Sequence, residues 1–130
     1  MNVLLVSPDP AARDLMRLAV GSVERRLGSP LVFSEAPDGD VGARAALRAR
    51  PDVVVADEIA SRAGAFSLAK MLRGDTDPFR GAIVILLERR QDVWLARWSG
   101  ADAWFVKPVD PFELADRLLD LVGRSERETA

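Results

Sequence analysis

The run Pro51-Asp52-Val53-Val54-Val55-Ala56-Asp57 constrains this chain more than any other stretch. Pro51 stops whatever helix precedes it, because the residue before a proline is pushed out of the helical region. Consecutive valines then follow with no polar alternation. That pattern marks a strand buried on both faces, the habit of parallel sheets covered by helices. The run ends in a carboxylate, Asp57. In an open parallel α/β sheet the carboxyl ends of the strands carry ligands and chemistry, so Asp57 is the first candidate functional residue. Its structural alternative is a loop cap, a common use of Asp.

Other segments repeat the theme. Val3-Leu4-Leu5-Val6 is a second buried strand, and Asp9-Pro10 is an N-cap followed by proline at the first helical position. The helix that follows is expected to put Leu15, Leu18 and Ala19 on its apolar face and Arg13 and Arg17 on another. Arg25, Arg26 and Gly28 suit its C-terminus. Leu31-Val32-Phe33 reads as a short strand and Pro37-Asp38-Gly39 as a turn. Ala43, Ala46 and Leu47 mark a helix that ends before Pro51. Glu58 to Gly64 reads as irregular. Phe66, Leu68, Ala69 and Leu72 mark the next helix, and Gly74 ends it. Ala82 to Leu87 is a buried strand, Gln91 to Ser99 a helix capped by Gly100, and Trp104-Phe105-Val106 the last strand. Asp110-Pro111 repeats the cap-plus-proline signal. Leu114, Leu118 and Leu121 form the stripe of a final helix that Gly123 is expected to close. Residues 1–123 are therefore one domain, and 124–130 a polar tail or the root of a linker. Strands alternating with helices give an α/β fold, a (βα)5 doubly wound sheet of five parallel strands.

Composition excludes much chemistry. The chain has 130 residues, no Cys and no His. Disulfides, thiol catalysis, Ser-His-Asp triads and imidazole metal ligands are thereby removed. Net charge is -2 with both signs interspersed, so no nucleic-acid footprint stands out. No apolar run approaches a membrane span and no signal peptide opens the chain, so a cytoplasmic protein is expected.

Over residues 3 to 122 the chain resembles the receiver domain of bacterial two-component response regulators. The resemblance rests on Val3 to Val6 with Asp9-Pro10, on Pro51 to Asp57, and on Gly100-Ala101-Asp102 running into Val106-Lys107-Pro108, with Asp110-Pro111 after it. It implies the flavodoxin-like receiver fold. It further implies that Asp57 is the phosphoacceptor position, addressed by a histidine kinase. An acidic pair after the first strand would hold Mg2+, a Thr or Ser after the fourth strand would bind a phosphoryl oxygen, and Lys107 would bind another. The resemblance implies a cis Lys107-Pro108 peptide as well.

The chain departs from that pattern where the chemistry is decisive. Ser7-Pro8 replaces the acidic pair, although Mg2+ needs hard oxygen ligands in near-octahedral array. Asp9 lies one residue beyond the matching pair and reads as a cap. Leu87 replaces the hydroxyl residue and cannot bind a phosphoryl oxygen. Trp104 stands where the family keeps a switching Tyr or Phe. Asp57 and Lys107 remain, and a buried salt bridge accounts for both. The reading is an atypical receiver: a non-enzymatic protein-interaction module in phosphorelay signal transduction, with no cofactor. The alternative is a working phosphoacceptor on Asp57 that uses Mg2+, with Asp9 in place of the lost acids. A small-ligand flavodoxin-like domain is a third reading, weakened by Pro8 and Pro10 where a phosphate loop needs free amides. Expected partners are a histidine kinase or downstream effector, and a second copy through the fourth helix, fifth strand and fifth helix. No nucleic acid or membrane is expected. Trp94, Trp98 and Trp104 crowd that region. Trp94 is expected in the core, and at least one of Trp98 and Trp104 exposed on a patch flanked by Arg97 and Phe112.

Overall fold

The computed structural model of the chain describes residues 1–58 and 64–129, with side chains described through residue 123. Strands β1 (Asn2–Val6), β2 (Val32–Ala36), β3 (Val53–Glu58), β4 (Ala82–Leu87) and β5 (Ala103–Val106) alternate with helices α1 (Pro10–Leu27), α2 (Gly39–Ala49), α3 (Ala65–Gly74), α4 (Val93–Ser99) and α5 (Pro111–Thr129). All strand pairs are parallel, in the order β2-β1-β3-β4-β5.

The pleat splits each apolar strand between two cores. Leu4, Val6, Val54, Ala56, Ile83, Ile85 and Leu87 face α2, α3 and α4. Val3, Leu5, Val53, Val55, Val84 and Leu86 face α1 and α5. This two-sided burial is why the strands read as unbroken hydrophobic runs. It also sends Asp57 toward the α1 and α5 layer, since it shares the parity of Val53 and Val55.

Local signals explain the helix ends. Asp9 caps α1 by accepting from the Ala11 amide, and Gly28 closes it in the left-handed region at φ 70°. Asp38 caps α2 by accepting from the Val41 amide, and Gly100 ends α4 at φ 89°. Asp102 earns its place structurally. Its carboxylate accepts from the Ile83 amide at 2.7 Å and pairs with Arg73 at 2.6 Å, tying α3 to the start of β4. The Lys107-Pro108 peptide is cis.

Several sequence expectations need correction. The inward stripe of α1 is Met16, Val20 and Val23, while Leu15 and Leu18 are 68% and 76% exposed. Both stripes have helical spacing, but the first lies one residue further round and includes the β-branched side chains that meet β1. Trp94 is 65% exposed rather than in the core. The short helix α4 rests on the sheet through Ala96 and Ser99, small residues that leave no room for an indole beneath it. Gly123 does not end α5, which continues to Thr129; among the described glycines only Gly28 and Gly100 take positive φ. The sequence after Gly123 is rich in good helix formers. Strand β2 begins and ends later than expected, because its ladder follows Asn2 to Val6 of β1. Gln91 lies in a 3-10 turn, Arg90–Asp92, and α4 begins only at Val93. In the segment expected to be irregular, Glu58 ends β3 and Gly64 caps α3, while residues 59–63 lie outside the described residues.

Two glycines give opposite expectations. A Cβ on Gly42 would lie 2.9 Å from both Leu68 Cδ1 and Val6 Cγ2, so α2 sits against the sheet only because that residue has no side chain. Gly21, inside α1, has nothing within 4 Å. Gly42→Val should destabilise by about 1–3 kcal/mol through overpacking. Gly21→Ala should stabilise by roughly 0.5–1 kcal/mol. Urea unfolding of both variants checks the pair.

Candidate functional site

The site forms where the carboxyl ends of β1, β3, β4 and β5 meet. Asp57 is buried, with its side chain 1% exposed. Lys107 follows β5 directly, and its Nζ lies 2.5 Å from Asp57 Oδ1. The same Nζ lies 2.6 Å from Glu88 Oε1, a residue that follows β4 directly. The Lys107 amide donates to the Leu87 carbonyl at 2.9 Å, so backbone pairing continues up to the ion cluster.

The other carboxylate oxygen is met from β1. Ser7 is fully buried, and its Oγ donates to Asp57 Oδ2 at 3.3 Å. Ser7 Oγ also accepts from the Asp9 amide at 3.2 Å. Arg13 Nη1 donates to the Ser7 carbonyl at 2.5 Å, and the Arg13 and Arg17 guanidinium groups converge on Glu35 at 3.7 Å and 3.1 Å. A chain of polar contacts therefore runs from Glu35 on β2 through Arg13 and Ser7 to Asp57. It holds the end of β1 without any added carboxylate beside Asp57.

Burial works against the Lys107 ammonium and is the largest single influence on it, yet the bonds and charges of Asp57 and Glu88 together outweigh it and raise its pKa above 10.5. A raised folded-state pKa stabilises the fold fully below the unfolded value and stops doing so as pH rises through the folded one. The cluster is therefore intact at neutral pH and fails only under strongly alkaline conditions. Glu58 behaves differently. Burial pushes its pKa up from 4.5, the Phe66 and Ala65 amides pull it down, and the charges of Asp92 and Asp57 push it up again. Its Oε2 accepts from the Phe66 amide at 3.2 Å. Glu58 thus caps α3 from the preceding strand, in place of Gly64, which has no side chain for the purpose. Because its folded-state pKa is raised, its effect on stability improves as pH falls from neutrality.

Of the residues singled out in the sequence, Asp57, Lys107 and Ser7 come together here. Pro8 is exposed, and Asp9 is engaged as the cap of α1 through Oδ1, 3.0 Å from the Ala11 amide. Leu87 is fully buried and points into the other core, among Leu4, Ala56 and Leu68, so it offers the Asp57 side no polar group. Trp94, Trp98 and Trp104 do not join the cluster. Trp98 is 58% exposed with Lys70 Nζ 4.0 Å above its ring, and Trp104 is partly buried with Arg97 over it at 5.8 Å. Phe112 is exposed on the first turn of α5. Glu88, Glu58 and Arg13 were not anticipated. Glu88 carried the same signal as Asp57, a carboxylate directly after a buried apolar strand. A cleft of about 590 Å3 leads to Asp57 and Lys107 between α1 and the turn after β5, past Leu15, Leu18 and Val109.

No protein-family model matches the chain. An uncharacterised response regulatory protein of Mycobacterium tuberculosis is 29% identical over 122 residues, covering 94% of this chain and 91% of that protein. The transcriptional regulatory protein AfsQ1 of Streptomyces coelicolor is 29% identical over 130 residues, 98% of this chain but 54% of the relative. Among solved structures, the BeF3-activated N-terminal receiver domain of RstA from Klebsiella pneumoniae superposes with a TM-score of 0.75 at 25% identity, covering 94% of this chain and 98% of that one. The signal receiver domain of a histidine kinase from Syntrophus aciditrophicus gives a TM-score of 0.79 at 20% identity, over 97% and 92% of the two chains. With five parallel strands in one sheet, an acid at the end of β3 and a lysine after β5, the chain has the receiver fold and is similar over most of its length to response regulators.

Proposed function

We propose that this receiver domain works as a protein-interaction module whose state does not depend on phosphorylation of Asp57. The observation that carries this reading is the donor set around Asp57. Where a metal would need carboxylate oxygens, Ser7 supplies a hydroxyl already committed to Asp57 Oδ2, and Pro8 supplies no side-chain donor at all. Asp9 accepts the Ala11 amide through Oδ1 as the cap of α1. Among the described residues no cluster of three or more acidic side chains is placed to hold a metal ion. These residues do not fit Mg2+. Leu87, buried in the opposite core, offers a phosphoryl group on Asp57 no hydroxyl.

The partners are signalling proteins, a histidine kinase or a downstream effector. The face around α4 and β5 is the proposed contact. Trp94 and Trp98 are four residues apart and both exposed, Lys70 lies over the Trp98 ring, and Arg97 lies over Trp104. Exposed tryptophan beside cationic side chains is the composition of interface hot spots.

Two outcomes are expected. Mg2+ and beryllofluoride at millimolar levels should produce no saturable shift at Asp57, Leu87 or Lys107 in NMR spectra; stoichiometric modification by acetyl phosphate, lost in Asp57→Asn, contradicts the reading. Trp94→Ala and Trp98→Ala should keep the far-UV circular dichroism of the parent while weakening its self-association in sedimentation velocity or its retention by a purified partner. Trp104→Ala should lower stability as well, because that ring packs against the core.

A further inference from the structure

Glu88 stands in an unusual position. It directly follows an apolar strand, its side chain is 48% exposed, and its carboxylate lies on Lys107 at 2.6 Å. The neighbouring base, Arg89, is already paired with Asp92 at 3.1 Å. Among the described residues, what holds the Glu88 carboxylate is therefore Lys107. An ammonium has three N–H donors and can accept nothing. Asp57 and Glu88 face Lys107 together, so the group that an approaching anion needs is already neutralised, with one negative charge left over.

The contact also has a mechanical side. Glu88 opens the connection to α4, and Lys107 is the first residue after β5. Below them the Lys107 amide bonds to the Leu87 carbonyl at 2.9 Å. The side-chain pair closes over that backbone bond and fixes the first residue of the path leading to Trp94 and Trp98.

We propose that Glu88 is a built-in anion: it occupies Lys107, excludes external oxyanions from the Asp57 end of the sheet, and holds the β4 to α4 connection in one position. This deepens, and rests on, the reading of the domain as phosphorylation-independent. It assigns a resident side chain to the place where an oxyanion would otherwise be balanced.

The chain contains just two lysines, Lys70 and Lys107, so a 15N spectrum of side-chain ammonium groups has two signals to assign, and Lys70→Arg separates them. Glu88→Gln keeps the size of the side chain and removes its charge, and Glu88→Ala removes the contact altogether. Since Glu88 is half exposed, both variants should retain the parent circular dichroism. Inorganic phosphate is the probe, with sodium chloride at matched ionic strength as the control. In the parent, phosphate should leave the Lys107 signal unmoved. In Glu88→Gln the signal should shift at once and then respond saturably to phosphate, at least about tenfold more tightly than any response of the parent, the scale of removing one neighbouring charge. Amide exchange from Arg89 to Trp94 should quicken in both variants. An unchanged Lys107 signal, phosphate response and exchange rate in both variants would overturn the proposal. Acetyl phosphate separates the two readings. If it transfers its phosphoryl group to Asp57 with release of acetate in parent and Glu88→Gln at equal rates, the role of Glu88 falls. If both are modified but Glu88→Gln much faster, Glu88 retains its role and only the inertness of the site is lost.

Discussion

A carboxylate buried at the end of the central strand governs this molecule. Asp57 lies in β3, the middle of five strands, with its side chain 1% exposed. An ionised carboxylate out of water is unfavourable by several kcal/mol unless it is paired and hydrogen-bonded. Both oxygens are answered, one by Lys107 and one by Ser7. Each partner comes from a different strand, so the demands of one charge tie β1, β3 and β5 at the same edge. Glu88 adds β4. The polar end of the sheet is therefore closed by ion pairing where the body is closed by hydrophobic burial.

That arrangement underlies the proposed phosphorylation-independent role. A site that accepts a phosphoryl group needs positive charge in reserve and hard oxygen ligands for a metal. Here the positive charge is spent on two resident carboxylates, and the end of β1 is organised by Ser7, Arg13 and Glu35. Meanwhile the surface around α4 carries exposed tryptophans bordered by cations, the features of a docking face.

Much of this was legible in the residues. The unbroken runs at Val3, Val53 and Ala82 gave the strands because parallel strands bury both faces. Asp9-Pro10, Gly28 and Gly100 gave helix ends because their backbone requirements are local. The Asp57 and Lys107 pair followed from the family resemblance, and the two are 2.5 Å apart in the structure. What failed depended on packing. Leu15 and Leu18 form as good a helical stripe as Met16, Val20 and Val23, and only the position of α5 and the sheet decides which turns inward. Trp94 was placed in the core by its size, but α4 sits on Ala96 and Ser99. Gly123 looked like a stop, yet glycine ends a helix only when the following chain leaves it. Glu88 was overlooked because its importance lies in a partner 19 residues away.

The central claim is that Asp57 and Lys107 are a coupled structural pair. A double-mutant cycle of Asp57→Ala and Lys107→Ala, followed by urea unfolding at neutral pH, tests it most directly. Each single variant should lose stability, and the double variant should lose less than their sum, with a coupling of about 1–3 kcal/mol. Additive losses within roughly 0.3 kcal/mol would show two independent side chains, and would contradict the account.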